Sequence, residues 1–125
     1  MIYLDTHIVT ALRQNELDAL GRKARRAIDK EDDLRVSPIV LLELEYLHEI
    51  KRIRTAPQVM LDGLAATIGL RVCARAFLDV VQQAAKETWT RDPFDRMIVA
   101  QARLHQAPLI TRDGLMLANY SHALA

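Results

Sequence analysis

The sequence predicts a single α/β domain over residues 1–125, with a mostly parallel central sheet flanked by helices. Three observations carry that reading. Short apolar runs alternate along the chain with segments of helical period, the pattern of parallel strands joined by helical crossovers. A chain of 125 residues has the size of one ordinary domain and buries roughly two thirds of its unfolded surface without a disulfide or metal staple. No repeat, low-complexity tract or linker-like stretch divides it.

Taken in order, Ile2-Tyr3-Leu4 is a short apolar run ending at Asp5 and reads as a buried strand. Thr6 onward, through Ile8, Val9, Ala11 and Leu12, reads as a short helix. Leu17–Lys30 is rich in Ala, Arg and Lys and reads as one helix, followed by a brief strand at Leu34–Val36. Ser37-Pro38 supplies an N-cap and a proline in the first helical position, opening a helix to about Arg52. Thr55-Ala56-Pro57 starts a further helix to about Ala66. Ile68–Cys73 reads as a strand weakened at Gly69, and Ala76–Glu87 as an amphipathic helix. Asp92-Pro93 opens a helix to about Gln106, with Asp92 in the N-cap position. Pro108–Thr111 is a last apolar strand, closed by Asp113-Gly114.

Half of the residues are hydrophobic, about a quarter are charged, and the net charge is +1. That balance suits a soluble globular chain and excludes a strongly basic whole-molecule field. Arg22, Lys23, Arg25 and Arg26 form one basic group and Lys51, Arg52 and Arg54 another. Both read first as solvated helix faces, with phosphate contact as the alternative. Aromatic residues are few and scattered, which argues against a base-stacking platform as the main recognition device. Cys73 is the single cysteine, so an intrachain disulfide is excluded. With no signal-like N-terminus and no long apolar run, the expected location is the cytoplasm, away from any membrane.

Helical spacing separates inward-facing acids from solvated ones. Three, four and seven residues ahead of Asp95 lie Ile98, Val99 and Ala102, so Asp95 heads an apolar stripe. Glu43 is framed by Ile39, Val40, Tyr46 and Leu47, whereas Glu45 and Glu49 share a face with His48 and Arg52. Asp5 and Asp113 follow apolar strand runs, at the sheet edge where open parallel sheets bind ligands. Four converging carboxylates at ~5 Å and an effective dielectric of ~20 repel by roughly 3 kcal/mol per pair. Such a cluster either takes up protons or holds a cation, and an all-oxygen set suits Mg²⁺ or Mn²⁺. Simpler roles remain open for each acid: a cap at Asp5, a turn at Asp113, a capping-box N3 at Asp95, a buried ion pair with Arg96 at Glu43.

The segments IYLDTHIVTAL, SPIVLLELEYL, RDPFDRMIVAQA, LITRD and ANYSHAL, taken in this order, closely resemble the PIN-domain family, in particular VapC-type ribonuclease toxins. The resemblance runs from near the first residue to near the last. It implies a compact α/β fold, an acidic pocket holding Mg²⁺ or Mn²⁺, endonucleolytic cleavage of RNA, inhibition by a cognate antitoxin, and a homodimer. By motif, the implied catalytic and metal-holding acids are Asp5, Glu43, Asp95 and Asp113, with Thr6 and Thr111 as flanking hydroxyls. Gly114, Leu115 and Met116 stand where some PIN domains carry a further acid, which weakens the case for a second metal within one chain. The expected chemistry is hydrolysis of an RNA phosphodiester by a metal-activated water. Arg96 is expected to steady an acid or a phosphate, foremost through a salt bridge, and His7 and His105 receive no catalytic role. The competing reading is a non-catalytic PIN-fold module that binds RNA or a regulator.

Overall fold

The computed structural model describes residues 1–125. Five parallel strands, β1 (Ile2–Leu4), β2 (Leu34–Val36), β3 (Arg71–Val72), β4 (Leu109–Ile110) and β5 (Ala123–Leu124), form one sheet in the order β3-β2-β1-β4-β5. The register sets Leu4 opposite Ile110 and Ile110 opposite Leu124, so Asp5, Thr111 and Ala125 follow in one row along the C-terminal edge. Helices α1 (Thr6–Arg13) and α2 (Arg22–Lys30) join β1 to β2, and α3 (Pro38–Glu49) and α4 (Pro57–Ile68) join β2 to β3. Helices α5 (Phe77–Ala84) and α6 (Pro93–Leu104) return the chain to β4, and α7 (Gly114–Asn119) leads to β5. Strand order reverses at β1, whose neighbours are reached by separate crossovers; the crevice beyond β1 and β4 is therefore the topological switch point.

Fully buried Tyr3, Leu4, Leu34, Leu109 and Ile110 of the sheet pack with Ile8, Leu44, Met60, Ile98 and Met116 of the helices in one large cluster. Val80, Ala84 and Ala100 form a small second one between α5 and α6. No helix is long and apolar enough to cross a membrane.

The expected α/β class stands, with four local differences. The helix expected over 17–30 is interrupted: Leu17–Ala19 is a single 3₁₀ turn, Leu20 is extended, and α2 begins only after Gly21. Gly21 is the extended N-cap of α2, and a Cβ there would lie 2.8 Å from a backbone oxygen of Ala125, so this close approach requires glycine. The strand expected over 68–73 shrinks to Arg71–Val72, because Gly69 adopts φ +69° and ends α4. α3 stops at Glu49 and α5 at Ala84, each short of expectation. α7 and β5 were not foreseen; Asp113-Gly114 closes no simple turn but opens α7.

Candidate active site

The edge of the sheet brings two acids together through one hydroxyl. Asp5 leaves β1 and caps α1, its Oδ1 accepting from the Thr6 amide at 2.7 Å. Its Oδ2 accepts from Thr111 Oγ1 at 2.8 Å, and the residue is only 3% exposed. Asp113 caps α7 through Oδ1 and the Met116 amide at 2.9 Å, while its own amide donates to Thr111 Oγ1 at 3.0 Å. Thr111, itself fully buried, thus ties the side chain of one strand-end acid to the backbone of the other.

The other two acids arrive on helices. Asp92 caps α6, its Oδ1 accepting from the amides of Phe94 at 2.8 Å and Asp95 at 3.2 Å. The Asp92 amide donates to Thr90 Oγ1 at 3.2 Å, so Asp95 does not close a capping box and its carboxylate stays available. Glu43 sits half-buried on α3, and Ser37 Oγ, at the start of that helix, donates to Gln101 Oε1 of α6 at 2.9 Å. That hydrogen bond fastens the two acid-bearing helices to each other.

Arg96 corrects the sequence reading. It makes no salt bridge with any acid; its Nε donates to the Thr90 carbonyl at 2.8 Å and pins the loop before α6. The helix turns Arg96 away from the edge that Asp95 faces, since consecutive residues on a helix do not share a face. The basic groups at Arg22–Arg26 and Lys51–Arg54 make none of the structure's ion pairs either.

The acids disturb one another. Burial pushes Asp95 up to about 7, and the charges of Asp92, Asp5, Asp113 and Glu43 add to the rise. Asp5 is raised by burial, against the opposing Thr111 hydrogen bond and the nearby His7, with Asp113 adding to the rise. Glu43 is raised by burial too, with Asp5 and Asp92 adding to it and Thr6 and His7 opposing. Asp95 is therefore the point where the four fields meet. Two contributors were missed in the sequence: Asp92, read only as a cap, and His7, whose charged form favours ionised Asp5 and Glu43. The signal for His7 was its place two residues after Asp5, within the first turn of the helix that Asp5 caps.

No three His, Cys, Asp or Glu side chains stand close enough to ligate one ion directly, so the carboxylates do not form a tight preassembled cage. The charges of Asp5, Asp113 and Glu43 nevertheless reach Asp95 strongly enough to add to its rise, as like charges do. Thr6 Oγ1 is buried without a hydrogen-bond partner; it faces Glu43 closely enough to favour its ionised form, yet outside hydrogen-bond geometry. An all-oxygen set with an orphaned hydroxyl fits a hard divalent cation that keeps part of its water shell.

Comparison with known proteins gives this geometry a family. The sequence pattern of the PIN domain matches residues 2–120, and the chain belongs to the PIN-domain family. Within it, the chain is 33% identical over 117 residues to Ribonuclease VapC22 of Mycobacterium tuberculosis (strain ATCC 25618 / H37Rv), covering 90% of this chain and 86% of that protein. The fold is similar to a toxin-antitoxin complex from Klebsiella pneumoniae, with a TM-score of 0.68, 19% identity, and 100% and 97% of the two chains covered. It is also similar to VapBC2 from Rickettsia felis bound to a promoter DNA fragment, with a TM-score of 0.65, 19% identity, and 100% and 98% covered.

Proposed function

We propose that this chain is a Mg²⁺- or Mn²⁺-dependent endoribonuclease and the toxin of a toxin–antitoxin pair. One observation carries the reading: at the switch point of a PIN fold the charges of Asp5, Glu43 and Asp113 all act on Asp95, driving it up to about 7, and none of the four acids is in a salt bridge with an arginine or lysine. The likeness to a ribonuclease at 33% identity supports RNA as the substrate.

Asp5, Asp95 and Asp113 would hold the cation, directly or through its waters, with Glu43 completing the set or orienting the attacking water. When bound, the cation supplies Lewis-acid charge to the phosphodiester and makes a water more acidic. Thr111 keeps Asp5 in place and lowers its affinity for protons, which favours the ionised form a cation needs. The buried, unpartnered Thr6 hydroxyl would donate to a cation-bound water or to Glu43. Asp92 starts the helix and adds negative field without facing the cluster.

The toxin role brings an antitoxin as partner, and the fold's likeness to chains from toxin–antitoxin complexes is consistent with it. A homodimer belongs to the same reading. The location that goes with it is the cytoplasm.

The test is cleavage of single-stranded RNA by the purified chain in Mg²⁺ or Mn²⁺, with EDTA and Asp5→Asn as controls. The reading predicts cleavage that EDTA and the substitution each abolish. Activity surviving both would refute it, and a folded chain that binds RNA without cutting it would favour the non-catalytic module.

A further inference from the structure

Two aromatic rings that are far apart in sequence meet between the helices that carry Glu43 and Asp95. Tyr46 of α3 and Phe94 of α6 stack with ring centroids 6.2 Å apart and planes inclined by 29°. Tyr46 lies one helical turn beyond Glu43 on the same face of α3, and through Tyr46 the ring of Phe94, in the first turn of α6, is held on that side of the helix pair. The separation is that of an offset aromatic pair. Tyr46 nevertheless remains 50% exposed, so it keeps open surface while its contact with Phe94 restrains it. The sequence had shown only scattered aromatics; the fold gathers two of them at the site.

We propose that the Tyr46–Phe94 pair is a base-binding platform, on which the nucleotide adjoining the scissile phosphate stacks. The proposal rests on the ribonuclease reading. A carboxylate cluster repels the strand that carries the phosphodiester, so contacts that do not depend on charge add affinity close to the acids where phosphate-binding cations are absent. Stacking on a π-face is such a contribution, and single-stranded RNA offers unstacked bases for it. The more exposed Phe77, at 71%, is in none of the aromatic pairs and sits on α5, which carries none of the four acids. That contrast makes Phe77 a matched control for simple aromatic exposure.

The experiment measures KM and kcat on a ten-nucleotide single-stranded RNA and on the same RNA with one abasic ribose at each position beside the cut. Tyr46→Leu should raise KM on intact RNA by about 5- to 150-fold with little change in kcat. It should also remove the sensitivity to the abasic substitution that the wild type shows. Tyr46→Phe should restore wild-type KM, Phe77→Leu should match wild type, and thermal melting should show all variants folded. Unaltered KM in Tyr46→Leu, or an equal loss on intact and abasic RNA, would overturn the platform. Normal cleavage by Tyr46→Leu with lost binding to a protein partner would reassign the surface to that partner. A wild-type chain that cuts no RNA would overturn the ribonuclease reading and the platform together, whereas cleavage indifferent to Tyr46 would overturn the platform alone.

Discussion

Replacing Asp95 with asparagine removes one charge while keeping the side chain's shape, and the metal-free protein should become more stable. The carboxyl titrates near 3.8 when unfolded and is pushed up to about 7 in the fold, first by burial and then by Asp92, Asp5, Asp113 and Glu43. A rise of that size corresponds to about 4 kcal/mol of ionisation cost. Asp95 is only half-buried, and solvent screening reduces the cost to about 2 kcal/mol. Because the folded pKa is raised, the stability associated with the protonated group is complete below pH 4 and is lost as pH rises through 7. Asp95→Asn should therefore gain most above pH 7, melting roughly 6–10 °C higher in EDTA at pH 8, with the advantage shrinking toward pH 4. Thermal unfolding monitored by circular dichroism across that range is the assay. A variant that melts at or below wild type at pH 8, or a gain that does not vary with pH, would refute the electrostatic reasoning.

Three further outcomes follow from the same contacts. Thr111→Val removes the donor to Asp5 Oδ2 and should cost roughly 1.5–3 kcal/mol in urea unfolding, with cleavage falling at least about tenfold in the folded protein. Thr6→Ala deletes a buried hydroxyl with no partner; stability in EDTA should hold or improve while Mn²⁺ stabilisation weakens, read as a smaller rise in melting temperature. Glu87→Gln should cost about 2–3 kcal/mol, because buried Glu87 is paired with Arg103 at 2.6 Å and accepts from Trp89 Nε1 at 2.7 Å. Burial favours neutral Glu87, but Arg103, Trp89 and Gln83 together outweigh it and hold its pKa low. Its contribution should therefore be present above the usual glutamate range and disappear as pH falls through the lowered value.

Much of this fold was legible because local signals and burial agree. Ile2–Leu4 and Leu34–Val36 are apolar runs that became central strands, and Ser37-Pro38 and Asp92-Pro93 start helices through their own side-chain caps. The interruption at Gly21 was hidden because Leu17, Leu20, Ala24 and Ile28 keep a helical spacing across it, while the close approach of Gly21 to the backbone of Ala125 is a non-local contact. Gly69 looked like a flaw in a strand and proved to be a helix terminator, since its positive φ cannot be read from apolar content. β5 is two residues long and is defined by pairing with β4, a non-local property.

The site divided in the same way. Periodicity and strand ends picked out Asp5, Glu43 and Asp113 together with Asp95, and in the fold the charges of the first three act on the fourth. The Arg96 contact with the Thr90 carbonyl depends on how the loop before α6 folds back on that helix, and the stacking of Tyr46 on Phe94 on how α3 and α6 cross; no helical spacing encodes either.

The most direct test is a Mn²⁺ titration of RNA cleavage by the wild type, Asp92→Asn and Asp95→Asn under otherwise identical conditions. The account predicts saturable Mn²⁺ dependence in the wild type, nearly the same curve for Asp92→Asn, and no cleavage at any Mn²⁺ concentration for a folded Asp95→Asn. Wild-type cleavage indifferent to Mn²⁺ and EDTA, or Asp95→Asn cutting as well as Asp92→Asn, would contradict it.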